Sequence, residues 1–100
     1  MWLRLRQIAL ITEYLPAVVD HLHSLFGLEV GFNDPAMGRI GLENRVIPVG
    51  TQFIEVITPH DQATTQARYL ERRGDSGYMV ICQASARGRD AAQDRGRQPR

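Results

Sequence analysis

Gly50–Pro59 reads GTQFIEVITP, an apolar strand with one carboxylate, Glu55, set at its centre. Strand side chains alternate between faces, so Gln52, Ile54 and Val56 point one way while Phe53, Glu55 and Ile57 point the other. Glu55 therefore shares a face with two large apolar residues. A carboxylate there is costly unless it is hydrogen-bonded, charge-paired or bound to a metal, which makes it a candidate functional group. The ordinary alternative is a rim position that reaches water.

Upstream, Leu3–Thr12 reads as a strand with Leu3, Leu5, Gln7, Ala9 and Ile11 on one face and Arg4, Arg6, Ile8 and Leu10 on the other. Gln7 repeats the pattern of Glu55, a lone polar residue on an apolar face. Thr12 or Glu13 leads into a helix with Pro16 in its first turn, where a missing N–H costs least. Leu15, Val18, Val19, Leu22, Leu25 and Phe26 give that helix an apolar stripe, and Gly27 stops it. His21 and His23, two positions apart, turn onto different faces and read as surface or boundary residues. Leu28–Phe32 reads as a short second strand, broken by Asn33-Asp34-Pro35. Gly38–Val49 reads as a third strand, irregular because Asn44 invites a turn or bulge and Pro48 limits pairing.

Downstream, Pro59-His60-Asp61 closes the Glu55 strand, and His60 is expected in a solvent-exposed loop. Ala63–Arg73 reads as a short helix carrying Ala67 and Leu70 and ended by Gly74. Gly77–Gln83 is apolar through its centre and is expected to be a strand buried on both faces. Residues 84–100 contain no Val, Ile, Leu, Met, Phe, Tyr or Trp and hold five Arg against two Asp, so they are expected to be a disordered tail.

With 100 residues the chain is one domain at most, and 43% hydrophobic with 23% charged residues is the composition of a soluble globular protein. No apolar run approaches the ~20 residues of a membrane span. Ile8–Ile11 is too short for an export signal. The single cysteine, Cys82, rules out an internal disulfide and a cysteine metal site and suits a reducing, cytoplasmic setting. With nothing nearby to activate it, Cys82 reads as a buried small hydrophobe. The tail arginines lack interleaved aromatic residues, which argues against specific nucleic-acid recognition. A single helix covers one face of a small sheet, yet the first strand and the Glu55 strand are apolar on both. Leu5, Ala9, Phe53 and Ile57 would form a bare patch, so a second copy, a ligand or both are expected to cover it. Gln7 and Glu55 lie on that same face, which joins two oddities into one candidate site.

The β-α-β-β-β order, with the segments RLRQIALIT, LFGLEVGF, VGTQFIEVITP and ARYLERRGDSGYMVI, resembles the vicinal oxygen chelate superfamily of glyoxalase, bleomycin-resistance and methylmalonyl-CoA epimerase-like proteins. The segment Arg68–Gly74 brings it nearest to the epimerase and glyoxalase-like branches. The resemblance implies an α+β fold: one βαβββ module with a short helix, a fifth strand and an Arg-rich tail. It also implies an incomplete glyoxalase-like domain over residues 1–83, followed by the tail 84–100. A divalent metal would take Gln7 and Glu55 as ligands, amide and carboxylate oxygens being suited to such an ion. The family's next ligand, usually a His, falls on Tyr78 or Met79, and neither is a usual substitute. Leu5, Ala9, Phe53, Ile57, Tyr78 and Met79 are the implied pocket lining.

Three functions follow from this resemblance. The first is a metal-dependent lyase, isomerase or dioxygenase-like enzyme acting on a small carbonyl or thioester substrate, with Glu55 as catalytic base. In it a homodimer formed through the uncovered face would pool two Gln7 and two Glu55. The second is a metal-free module that binds a small apolar or aromatic molecule. The third is a folded fragment without activity. The change of composition after Gln83 reads as a truncated or frame-shifted second module. Translating the alternative frames past the codon of Gln83 checks the frameshift, for which family-like sequence is expected there.

Overall fold

A computed structural model describes residues 1–85 of the chain. Its elements are β1 (Leu3–Ile11), α1 (Leu15–Phe26), a 3-10 turn (Pro35–Ile40), β2 (Leu42–Val49), β3 (Gln52–Pro59), α2 (Thr65–Arg73) and β4 (Ser76–Ala84). The four strands form one mixed sheet in the order β2-β3-β1-β4, in which β1 runs parallel to β3 and antiparallel to β4. The Glu55 strand, β3, is thus an inner strand flanked by β2 and β1. No helix among the described residues is long and apolar enough to cross a membrane.

A parallel pair cannot be closed by a hairpin, so the chain needs a crossover between β1 and β3. Helix α1 supplies it. Pro16 sits in its first turn, and Gly27 ends it in the left-handed region (φ 68°), its N–H donating to the His23 carbonyl at 2.9 Å. Leu15 and Val19 bury against Ile47 of β2 and Val56 of β3, with Val18, Leu22, Leu28 and Ile54 around them. The predicted stripe is longer than the surface it packs on: Leu25 and Phe26, in the last turn, are 73% and 69% exposed. On the other face Ala9, Leu42 and Ile57 form a second buried cluster with Met37, Tyr78 and Met79.

Several expectations change. Leu28–Phe32 contributes one bridge rather than a strand: the Phe32 N–H donates to the Val46 carbonyl (3.0 Å), and the Val46 N–H returns the bond (2.7 Å). Gly31, at φ 80°, takes the backbone out of the extended region just before it. The next strand starts at Leu42, not Gly38, because Asp34 caps the 3-10 turn through its side chain and Pro35–Ile40 winds up instead. Asn44 makes no turn or bulge; β2 pairs with β3 without interruption from Leu42↔Pro59 to Val49↔Gln52. Pro48 is tolerated because β2 lies at the sheet margin. Helix α2 begins at Thr65 instead of Ala63, after Thr64 accepts the Ala67 N–H in its side chain (3.0 Å).

The last strand, expected to be buried on both faces, is the outer strand of the sheet, and Val80 at its middle is 51% exposed. Its Cys82 is half-buried instead of buried. Ala84, assigned to the tail, closes β4, and the Ser85 N–H donates to the Trp2 carbonyl at 2.8 Å. The rest of the expected tail lies outside the described residues.

Two substitutions test this packing by denaturant unfolding. Ile47 is fully buried between α1 and β3, so Ile47→Ala is expected to cost about 2–5 kcal/mol. Gly31 and Gly27 both have positive φ, but a Cβ on Gly31 would sit 2.2 Å from the Val46 carbonyl oxygen while one on Gly27 meets nothing within 4 Å. Gly27→Ala is expected to cost about 1–2 kcal/mol from the left-handed backbone alone, and Gly31→Ala clearly more.

Candidate functional site

Glu55 is centred between two strands of opposite direction. In register it lies opposite Ala9 of β1 and Val46 of β2, with Gln7 opposite its neighbour Phe53 and Asn44 opposite Ile57. Gln7, Ala9, Asn44, Val46, Phe53, Glu55 and Ile57 therefore share one face. Long polar side chains two positions off register can meet diagonally across a ladder. They do so from both sides: Gln7 Nε2 donates to Glu55 Oε1 at 2.7 Å, and Asn44 Nδ2 donates to Glu55 Oε2 at 2.7 Å. Asn44 is only 2% exposed, and its Oδ1 accepts the Asp34 N–H at 2.9 Å, so the turn before the 3-10 segment fixes the amide that holds Glu55.

This answers why a carboxylate is tolerated on an apolar face. Each hydrogen bond to an ionised group contributes about 1.5–3 kcal/mol, and here each carboxylate oxygen has one. Among the described residues no buried side-chain nitrogen or oxygen lacks a partner. The pairing of Gln7 with Glu55 was legible as two lone polar residues on apolar strand faces. Asn44 carried the same signal, a polar residue between Leu42 and Val46 on one face of β2, but its turn propensity masked it.

The predicted lining separates into two groups. Ala9 and Ile57 are 2% and 5% exposed, closed over by Met37 of the 3-10 turn and by Tyr78 and Met79 of β4. Tyr78 is held edge-on by Tyr69 of α2 with ring centres 4.9 Å apart, and the Tyr69 hydroxyl donates to the Gly77 carbonyl at 2.7 Å. One end of the face expected to be bare is therefore covered by the chain itself. The half-buried Phe53 remains open on the Glu55 face, whereas Leu5, 36% exposed, lies beyond a register shift between Leu5 and Gln7 that breaks the expected alternation and sets it opposite Cys82. An apolar groove of about 510 Å³ runs over β1 and β4; Ala9, Tyr78 and Met79 line it together with Ile8 and Val80, whereas Gln7 and Glu55 do not. His21, His23 and His60 are all exposed, as expected of surface residues, and His23 Nδ1 lies 2.6 Å from the Leu28 carbonyl at the end of α1.

A divalent cation asks for several oxygen donors turned toward one point. Here Gln7 and Asn44 both turn their nitrogens toward Glu55, and no three His, Cys, Asp or Glu among the described residues are grouped to hold a metal. Tyr78 and Met79 pack into the apolar cluster. The donor set of the described residues, one carboxylate between two amide N–H donors, does not fit such an ion as it stands. It fits a hydrogen-bonding ligand: a carboxylate has about four lone-pair positions, and the two amides occupy only one on each oxygen.

No known family pattern and no curated protein matches the sequence. Solved structures do match the fold. Methylmalonyl-CoA epimerase from Mycobacterium tuberculosis superimposes with a TM-score of 0.76 at 17% identity over 93% of this chain. The epimerase from Streptomyces coelicolor, in complex with 2-nitronate-propionyl-CoA, gives 0.77 at 17% identity over 93% of this chain. A hypothetical protein from Bacillus halodurans gives 0.74 at 15% identity over 94%. The chain spans 63% of the length of the first of these, and 70% of the second and of the third. At the level of fold, the chain is an α+β protein that shares the architecture of methylmalonyl-CoA epimerase.

Proposed function

We propose that the chain is a small-molecule-binding domain of the vicinal oxygen chelate type, in which Glu55, held between Gln7 and Asn44, anchors the polar end of a small carbonyl or thioester ligand. The observation that carries this reading is the clamp itself: both carboxylate oxygens are fixed at 2.7 Å by amides from the two flanking strands, with acceptor positions left over. Phe53, half-buried on the same face, would meet the ligand's apolar part. The thioester class is supported by the fold neighbours, solved with 2-nitronate-propionyl-CoA and with methylmalonyl-CoA. Where a reaction follows, Glu55 is the one carboxylate placed to take a proton from the carbon beside the carbonyl. Residues 1–83 then stand for one module and the strand after it. The cell compartment proposed is the cytoplasm, on the strength of the lone cysteine.

The metal-dependent lyase or isomerase is the second reading, favoured by the side-by-side placement of Gln7 and Glu55 on adjacent strands. It needs Gln7 to turn its amide oxygen inward and needs further donors from a second copy.

Three measurements separate these readings. Glu55→Gln replaces one acceptor by a donor facing an amide N–H; it is expected to weaken binding of acyl-CoA thioesters by about 10-fold or more in calorimetric titration, and unchanged affinity removes Glu55 from the site. Asn44→Ala strips one donor from the carboxylate and leaves the Asp34 N–H unpaired, with an expected loss of about 1–3 kcal/mol in denaturant unfolding. Titration with Mg²⁺, Mn²⁺, Co²⁺ and Zn²⁺ is expected to show weak binding; tight stoichiometric uptake abolished by Glu55→Gln establishes the metal-dependent reading instead.

A further inference from the structure

What Glu55 can offer a ligand is set by the groups already holding it. Asn44 is 2% exposed, and its Oδ1 accepts the Asp34 N–H at 2.9 Å. A flipped amide would set N–H against N–H at that end and oxygen against the carboxylate at the other, so Nδ2 stays on Glu55. Gln7 gives its Nε2 to Glu55 Oε1, while its own Oε1 has no partner among the described residues and is not sealed from solvent. A ligand therefore meets acceptors: a free lone-pair position on each Glu55 oxygen, and the Gln7 amide oxygen. A carbonyl oxygen brought here would face lone pair with lone pair.

The charge of Glu55 is also uncompensated. Both of its partners are neutral amides, and no Arg or His of the described residues makes an ion pair with it. Across the ladders it faces Ala9 and Val46, and Phe53 and Ile57 flank it on its own strand face. The side chain is half-buried, where attraction between opposite charges is stronger than in bulk water.

We propose that the group of the ligand that meets Glu55 is a protonated primary amine, so that an amino-bearing carbonyl or thioester compound docks by its ammonium and not by its carbonyl oxygen. This rests on the reading of Glu55 as a ligand anchor and narrows it. An ammonium has three N–H donors and no acceptor, which suits a carboxylate and an amide oxygen. Phe53, on the same face, adds apolar surface and a ring whose face attracts a cation. A hydroxyl would satisfy a lone pair but leave the charge. A divalent ion would meet the charge, but the Asp34 N–H keeps the Asn44 oxygen turned away from it.

The test is calorimetric titration of the full chain with thioesters that differ in one terminal group: β-alanyl-CoA (ammonium), hydroxypropionyl-CoA (terminal hydroxyl) and butyryl-CoA (methyl). Benzylamine and benzyl alcohol repeat the comparison without the thioester. β-Alanyl-CoA is expected to bind about 10-fold or more tighter than butyryl-CoA, with the hydroxyl compound between them. Benzylamine is expected to exceed benzyl alcohol similarly, and added salt to weaken benzylamine alone, a readout that needs no variant. In Glu55→Gln, with circular dichroism unchanged, the preference for the amine is expected to disappear. Equal affinities of the three thioesters, lost together in Glu55→Gln, keep Glu55 as the anchor and overturn the ammonium assignment. So does an amine preference that survives in folded Glu55→Gln. A preference for benzylamine without binding of any thioester supports the ammonium assignment and removes the thioester reading. No binding of any probe overturns both.

Discussion

The carboxylate of Glu55 and the two amides that hold it are the constraint around which the sheet is arranged. A lone charged group in the middle of an inner strand would be strongly unfavourable, and its nearest sources of hydrogen bonds are the strands on either side. Gln7 comes from β1 and Asn44 from β2, so the clamp closes only when β3 has both neighbours in register. A one-residue slip of either strand would turn its amide to the opposite face and leave the carboxylate short of a donor. The polar site thus also specifies the alignment of three strands.

That alignment explains the order of elements. The pairing of β1 with β3 is parallel, so a long connection must separate them, and α1 with the 3-10 turn and β2 fills it. Asp34, midway along that connection, caps the 3-10 turn through its side chain and gives its own N–H to Asn44. Loop, turn and clamp are therefore one hydrogen-bonded unit.

Period-two alternation exposed β1, β3 and the inward placement of Gln7 and Glu55, because one polar residue in an apolar register stands out. The 3.6-residue stripe and Gly27 exposed α1. Features decided by long-range pairing were hidden. Asn44 is a turn former by local propensity, and only Glu55 on the next strand makes it a strand residue. Leu28–Phe32 has strand composition, but Gly31 and the approach of Val46 reduce it to a bridge. Gly77–Gln83 is apolar enough for an inner strand, and hydrophobicity alone does not say which strand ends a sheet. The family resemblance rested on the order of segments, which survives sequence drift better than any single ligand, and the fold agrees with it where Tyr78 and Met79 depart from the usual ligand.

The apolar surface left over is divided between two faces. On the clamp face Met37, Tyr78 and Met79 close over Ala9 and Ile57, leaving Phe53 half-buried on the strand of the carboxylate. On the opposite face α1 sits over β2 and β3 and leaves Ile8 and Val80 bare. The clamp face therefore offers a directed polar contact with an apolar neighbour, Phe53, whereas the uncovered end of the other face offers apolar surface alone.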